Sequence, residues 1–275
     1  MKKVVLITGA SSGIGEATAI TLQQAGFEVY GAARRVERMQ HLHDDYGIHI
    51  LPLDVTDEAS MTHCVDEVLS EAGQIDVLVN NAGYGSYGAV EDVPISEARH
   101  QLEVNLFGLA RMVQLVLPSM RARRTGCIVN IASMAGRVHT PFGAWYHATK
   151  FAVEGFSDAL RLELKPFGIR VVIIEPGGIN TDWGIIAADN LVATSTKGVY
   201  AERAARVAHI FHDAYAGKHY SDVSVVAHAI RRAVTARRPR TRYAVGFMAK
   251  PSIFFRKILS DRMMDRILSF YFKLR

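Results

Sequence analysis

Apolar residues in this chain fall into short unbroken runs separated by longer stretches of helical period. The runs Val4–Ile7, Glu28–Ala32, His49–Leu53, Asp76–Val79, Gly126–Ile131, Arg170–Ile174 and Thr241–Val245 show little polar alternation. Strands covered on both faces have this pattern, because neither face meets water. Between them lie helical segments at Glu16–Ala25 (closed by Gly26), Thr56–Ala72, Ser96–Arg123, Trp145–Phe167 and Ser221–Ala236. In the second of these, Met61, Cys64, Val65, Val68 and Leu69 share one side. Strands alternating with helices of such length predict a doubly wound α/β fold, a parallel sheet of about seven strands with helices on both faces. One domain over residues 1–249 is expected, followed by an extension over 250–275.

The polar and glycine-rich stretches fall where such strands end. Ligands of open parallel sheets lie beyond the carboxyl ends of the strands, so Gly9–Gly15, Arg34, Asp54, Asn80–Gly83, Ser133 and Pro176–Gly178 are expected to line one crevice. The first stretch, Thr8-Gly9-Ala10-Ser11-Ser12-Gly13-Ile14-Gly15, joins a strand to a helix. Its glycines allow close backbone approach, and the amides opening the helix suit a pyrophosphate. The spacing is Gly-x3-Gly-x-Gly. The second strand ends Ala32-Ala33-Arg34-Arg35, with no acid to hold ribose hydroxyls. Arginine there suits a 2′-phosphate through paired, charge-assisted bonds. NADP(H) is therefore expected over NAD(H), with Arg35 read as the start of the next helix.

Tyr146 and Lys150 stand four apart in a helical segment and so share one face. A phenol near its usual pKa of ~10 is a weak acid–base group at neutrality, and an adjacent ammonium is expected to favour the phenolate. The pair can then exchange a proton with a carbonyl oxygen.

Composition narrows the classes further. The 275 residues are 49% hydrophobic, with two cysteines, Cys64 and Cys127, each in an apolar stretch. This fits a reduced, cytoplasmic setting without a disulfide framework. No apolar run approaches the ~18 residues of a membrane span, and the first residues lack a signal-peptide pattern. The net charge of +5 is scattered and fits a phosphate-rich ligand better than nucleic acid.

Taken in order, Thr8-to-Gly15, Asn80-to-Gly83, Asn105, Ser133, Tyr146, Lys150 and Pro176-Gly177 resemble the markers of the short-chain dehydrogenases/reductases over residues 3 to 182. The resemblance implies a Rossmann-type fold and hydride transfer between NADP(H) and a carbonyl or alcohol. It implies that Tyr146 exchanges the proton and that Ser133 holds the same oxygen. Lys150 would bind the nicotinamide ribose and lower the Tyr146 pKa, and Asn105 would hold a water relaying protons from Lys150. For the cofactor it implies Gly9, Ser11, Gly13, Ile14 and Gly15 at the pyrophosphate and ribose, and Arg34 with Ser11 at the 2′-phosphate. Asp54 and Val55 would flank adenine, with Asn81, Ala82 and Gly83 at the adenosine ribose. Ile179 and Thr181 would meet the nicotinamide amide, with Pro176 and Gly177 also binding the cofactor. Ser12 stands where some NADP-preferring members have a basic residue. The stretches Val29–Arg35 and Asn80–Gly85 are similar to the hydroxysteroid and retinol dehydrogenase-like branch, implying an apolar ketone or alcohol. A homodimer or homotetramer is also implied. A cofactor-binding redox sensor is the alternative from another class.

Residues 182–221 occupy the place of a substrate lid, with Trp183, Ile185, Ile186, Leu191 and Val192 as an apolar cover and Thr194–Gly198 as its hinge. Tyr84, Val138, His139, Phe142 and Trp145 are candidate pocket walls. His209 and His212 lack a third ligand nearby in sequence, so no metal site is expected. The arginines between 231 and 242 read as a solvated helix face and loop. The tail from Lys250 to Arg275 interleaves apolar and basic residues as two short amphipathic helices. Three roles stay open for it: roofing the substrate mouth, packing in a dimer, or lying on a membrane surface.

Overall fold

A computed structural model describes residues 2–195, 197–216 and 219–274, with no side-chain description at 216. Seven strands, β1 (Val4–Thr8), β2 (Glu28–Ala33), β3 (His49–Pro52), β4 (Val77–Asn80), β5 (Gly126–Ile131), β6 (Ile169–Pro176) and β7 (Arg242–Val245), form one sheet. Its order is β3-β2-β1-β4-β5-β6-β7, and every neighbouring pair is parallel. The expected fold class is therefore observed. Strand order reverses between β1 and β4, which opens a crevice at their carboxyl ends.

Alternate strand residues feed two separate cores, as the pleat requires. Val5, Ile7, Val77, Val79 and Val129 pack under α1 (Gly13–Gln24), α2 (Gln40–Tyr46) and a later helix, α9 (Ser224–Thr235). Leu6, Leu78, Ile128 and Ile173 pack under α3 (Glu58–Ala72), α5 (Gly108–Ala122) and α6 (Ala144–Leu164).

The expected helix Ser96–Arg123 is observed as one helical run over 95–122, with a π-helical turn inside it: α4 (Ile95–Leu102), the turn at Glu103–Phe107, and α5. Two contacts lie at the turn. The Asn105 amide is drawn onto the backbone of Tyr84, and Gly108 lies so close to Val55 that a Cβ there would stand 2.4 Å from the Val55 carbonyl oxygen. The helix expected from Ser221 begins at Ser224 instead. Ser221 pairs with the backbone of Gly178 and Asn180, and the Asp222 carboxylate accepts the Ser224 amide at 2.8 Å. The helix expected from Thr56 likewise begins after Asp57, whose carboxylate accepts the Ala59 amide at 3.1 Å.

A third cluster lies over the carboxyl ends of the strands. It is built from the loop residue Tyr87, from Tyr146, from α7 (Trp183–Ser195) and α8 (Ala201–Ala216), and from Phe272 near the end of the tail. The tail forms α10 (Ala249–Ile258) and α11 (Asp261–Tyr271).

Candidate active site

The crevice is built first by the glycine turn. Gly9 and Gly13 have φ of +70° and +58°, conformations that strain any side chain. A Cβ at Gly15 would sit 2.2 Å from the Gly9 carbonyl oxygen. Ser12 opens α1 without a side-chain cap, so the first amides of that helix keep their donors. Across the crevice Thr181 reaches the turn, its methyl 3.4 Å from where a Gly13 Cβ would lie. The β4 end locks the turn in place: the Thr8 hydroxyl accepts the Asn81 and Ala82 amides at 3.0 Å each, and the Asn81 side chain donates to the Thr8 and Gly9 carbonyls. Asn81, which the resemblance places at the adenosine ribose, thus braces the glycine turn with its side-chain nitrogen.

At the end of β2, Arg34 is exposed. Its charge acts on the carboxylate of Asp54. Burial opposes ionisation of Asp54, but hydrogen bonds from Thr56 and the charge of Arg34 outweigh it and hold the carboxyl below its usual range. An uncapped helix start, a glycine cradle and an exposed arginine at the β2 end fit a dinucleotide carrying a 2′-phosphate. Val55, Gly83, Pro176 and Gly177 stand at or just beyond the carboxyl ends of β3, β4 and β6. Ile179 is buried and packs against Gly246.

Ser133, Tyr146 and Lys150 do come together. The Lys150 ammonium donates to the Ile131 carbonyl at 2.9 Å and lies 5.9 Å from the Tyr146 ring centre. The Ser133 hydroxyl accepts the Ala135 amide at 3.1 Å and donates to the Pro176 carbonyl at 3.4 Å, and it acts on the Tyr146 phenol beside it to favour the ionised form. Helix α6 is fixed to the sheet by a buried polar chain: Asn80 donates to Asn130 at 3.0 Å, Asn130 to Ser157 at 2.9 Å, and Ser157 to the Val153 carbonyl.

The expected lowering of the Tyr146 pKa is not found. Burial, with Tyr87 beside it, raises the phenol well above its usual value, and Ser133 offsets only part of this. Tyr146 is 6% exposed and stays protonated at neutrality. Burial also pushes the Lys150 ammonium down to about 8, with Glu154 opposing. Desolvation outweighs pairwise attraction at both groups because each disfavours its charged form in an apolar surrounding.

Other expectations are corrected. Of the lid residues, Trp183 and Leu191 face inward, while Ile185, Ile186 and Val192 are exposed. The inward face of α7 is Gly184, Ala187, Ala188, Leu191 and Ser195, at helical spacing. Ser195 accepts the Ala89 amide at 2.8 Å, which anchors the expected hinge; Thr196 lies outside the described residues. Tyr84 turns from the pocket to Glu97 and His100. His139 is half-buried and faces Asp265 of α11 at 3.3 Å, while His209 and His212 pair with Asp213 and Asp189. Phe142 does join the aromatic cluster.

Tyr87 and His147, which carry no signal in the sequence, complete the site together with the expected lid residue Trp183. Tyr87 stands at 5.9 Å from Tyr146, 6.0 Å from Trp183 and 5.4 Å from Phe211, ring centre to ring centre. Trp183 lies 4.9 Å from Tyr146 and fills the space over Gly85, where a Cβ would meet it at 2.4 Å. His147 is buried, and burial lowers its pKa. Its Nε2 accepts the Thr140 amide at 2.9 Å, which leaves the proton on Nδ1 to donate to the Ala135 carbonyl at 3.0 Å. It thereby fixes the turn that follows Ser133.

The family profile described as short chain dehydrogenase matches residues 3–189. The chain belongs to the short-chain dehydrogenase family. The family sequence is also carried by relatives that extend further. The chain is 34% identical over 277 residues to an NADPH-dependent 3-dehydrocapnine reductase of Ornithobacterium rhinotracheale, covering 96% of this chain and 95% of that one. It is 43% identical over 180 residues to a 3-ketodihydrosphingosine reductase of Bacteroides thetaiotaomicron; the matched part is 65% of each, just under two thirds of that protein's length. A solved short-chain dehydrogenase from Streptomyces avermitilis superposes with a TM-score of 0.81 at 34% identity, covering all of this chain and 97% of that one. As a member of this dehydrogenase family the chain is an oxidoreductase. None of these likenesses selects the hydroxysteroid and retinol branch.

Proposed function

We propose that this protein is an NADPH-dependent reductase of apolar ketones, with Tyr146 as the proton donor. The observation that carries the reading is the buried, protonated Tyr146 held between Ser133 and an aromatic enclosure. A carbonyl placed against Ser133 and Tyr146 would accept two hydrogen bonds, and as its oxygen gains charge the phenol proton moves to it. NADPH, when bound, supplies the hydride. Lys150 then stands beside the phenolate left behind, where its charge stabilises that anion. Burial of the site by Trp183, Tyr87 and Phe211 excludes water from the reaction.

The preference for NADP(H) rests on the exposed Arg34 and on the lack of an acid at the β2 end. The NADPH-dependent relative supports it. The apolar substrate class rests on the enclosure itself, which presents rings and alanines beside Ser133 and Tyr146. Two relatives bear names of long-chain amino-ketone reductases or their kin, which agrees with that class. We further read the protein as cytoplasmic and self-associating through α5 and α6.

NADPH oxidation across ketones from small polar carbonyls to long-chain and polycyclic ones tests this. Turnover confined to apolar ketones and lost in Tyr146→Phe is the expected result. Tight NADPH binding with no turnover of any ketone would favour the sensor.

A further inference from the structure

The tail carries two apolar faces, and only one is used. Met264 and Leu268 of α11, and Phe272 just beyond it, face inward, and Phe272 rests against Phe211 of the lid. The other face is open: Ile267, Phe270 and Tyr271 are exposed, Phe270 at 87%. On α10, Phe254, Phe255 and Ile258 are likewise exposed. Burial of one row explains the helices; seven large exposed side chains on two adjacent short helices, Met263 among them, need another account.

Charge narrows the occupant. Residues 249–274 hold six basic side chains against two acidic ones, and Asp261 and Asp265 are already paired with Arg256 and His139. Phe254 and Lys257 also border a groove of about 840 Å³ between α9, β7 and α10. Its other walls include Arg232, Arg238, Arg240 and Lys250. A second copy of the chain meeting this face about a twofold axis would set like charges against like. An apolar face rimmed by lysine and arginine is complementary to an anionic bilayer, with rings at the acyl boundary and cations at the headgroups.

We propose that α10 and α11 dock this protein onto the anionic surface of a lipid bilayer. Docking sets the lid at the membrane, since the inner face of α11 packs on the same cluster as Tyr146. An apolar ketone dissolved in the bilayer then reaches the mouth without crossing water. That delivery step rests on the reductase reading; the docking does not.

The experiment is co-sedimentation of the full chain with vesicles of phosphatidylcholine alone or with phosphatidylglycerol added. Binding at least about tenfold tighter to the anionic vesicles and weakened by salt is expected. Phe270→Ser with Tyr271→Ser, and separately Lys257→Glu with Arg262→Glu, should each reduce it about tenfold with the melting temperature retained. No binding, equal binding to both vesicles, or binding unchanged in both variants overturns the proposal. So does a dimer in solution that both variants dissociate, with vesicles left unbound. Vesicle binding is read without turnover, so failure of the reductase reading would leave this result standing. Where turnover is present, the docking variants should slow reduction of a vesicle-borne ketone while sparing a water-soluble one.

Discussion

Asn105 and Tyr84 exchange two hydrogen bonds: the Tyr84 amide donates to Asn105 Oδ1 at 3.0 Å, and Asn105 Nδ2 donates to the Tyr84 carbonyl at 2.9 Å. The side-chain amide thus pairs with the loop backbone as a neighbouring strand would. Asn105 Nδ2 also lies 3.3 Å from the Thr149 hydroxyl on α6, so the residue ties the π-turn to the loop and to the helix of Tyr146. Its side chain is engaged in fixing the crevice, which leaves the relay of protons through a water as a separate role to be tested. Asn105→Ala would strand a buried amide and carbonyl at Tyr84, costing about 1–3 kcal/mol. Chemical denaturation should show that loss, and turnover should fall with it. An unchanged denaturation midpoint would show that the pairing contributes nothing to the fold.

Tyr146→Phe removes the phenolic proton and keeps the ring that Tyr87 and Trp183 pack against. Fluorescence titration should show NADPH binding within about threefold of the parent, with turnover down by at least about 10²-fold, the scale of a lost general acid. Retained turnover would refute the acid role.

Lys150 offers a pH test. Its folded-state pKa of about 8 lies below the ordinary 10.5. Burial makes its ammonium costly in the folded chain, so the cost is fully present below about pH 8 and vanishes above 10.5. Lys150→Met should therefore be most favourable relative to the parent near neutrality, the melting-temperature difference drifting toward the parent as pH rises through that window. In the parent, kcat/KM for NADPH should decline above about pH 8 as the charge beside Tyr146 is lost. A pH-independent melting difference would place the titration elsewhere.

Much of this architecture was legible because parallel strands buried on both faces leave continuous apolar runs, as Val4–Ile7 and Gly126–Ile131 do. Ser133, Tyr146 and Lys150 were legible because their chemistry depends on short spacings and strand ends. The π-turn between α4 and α5 was hidden, since such a turn inserts into a helix without interrupting its apolar pattern. Tyr87 sits in a glycine-rich loop with no periodicity to mark it. The tail showed two apolar rows, and only packing could reveal that Met264, Leu268 and Phe272 turn inward. The lid misreading has the same origin: Ile185 and Ile186 are the larger side chains, yet the small face of Gly184, Ala187 and Ala188 is what lets α7 approach α8 and Tyr87.

Arg34 tests cofactor choice. It is exposed at the β2 end, and its charge acts on Asp54 and Tyr84. Arg34→Ala should raise the NADPH dissociation constant by about tenfold or more, the scale of a charge-assisted bond, and leave NADH within about twofold. Equal weakening of both would mean that the arginine does not meet a 2′-phosphate.

Arg137 bridges two buried carboxylates, Glu175 at 2.9 Å and Glu154 at 3.1 Å, and Arg242 reaches the same pair from β7. The bridge joins the turn after Ser133 to the helix of Lys150 and to the strand that ends at Pro176. Burial and the neighbouring Glu175 raise the Glu154 pKa, and the two arginines act against that rise. Arg137→Ala would leave one guanidinium to serve two carboxylates that are almost wholly buried. A loss of about 2–4 kcal/mol follows, near the lower part of the range for breaking a buried ion pair because Arg242 remains. The loss should be largest at neutral pH and shrink as the pH falls, since a carboxyl with a raised pKa takes up a proton readily and no longer needs its partner. Urea denaturation at neutral and mildly acidic pH measures both quantities; a loss that is the same at both would show that neither carboxylate depends on Arg137 for its charge.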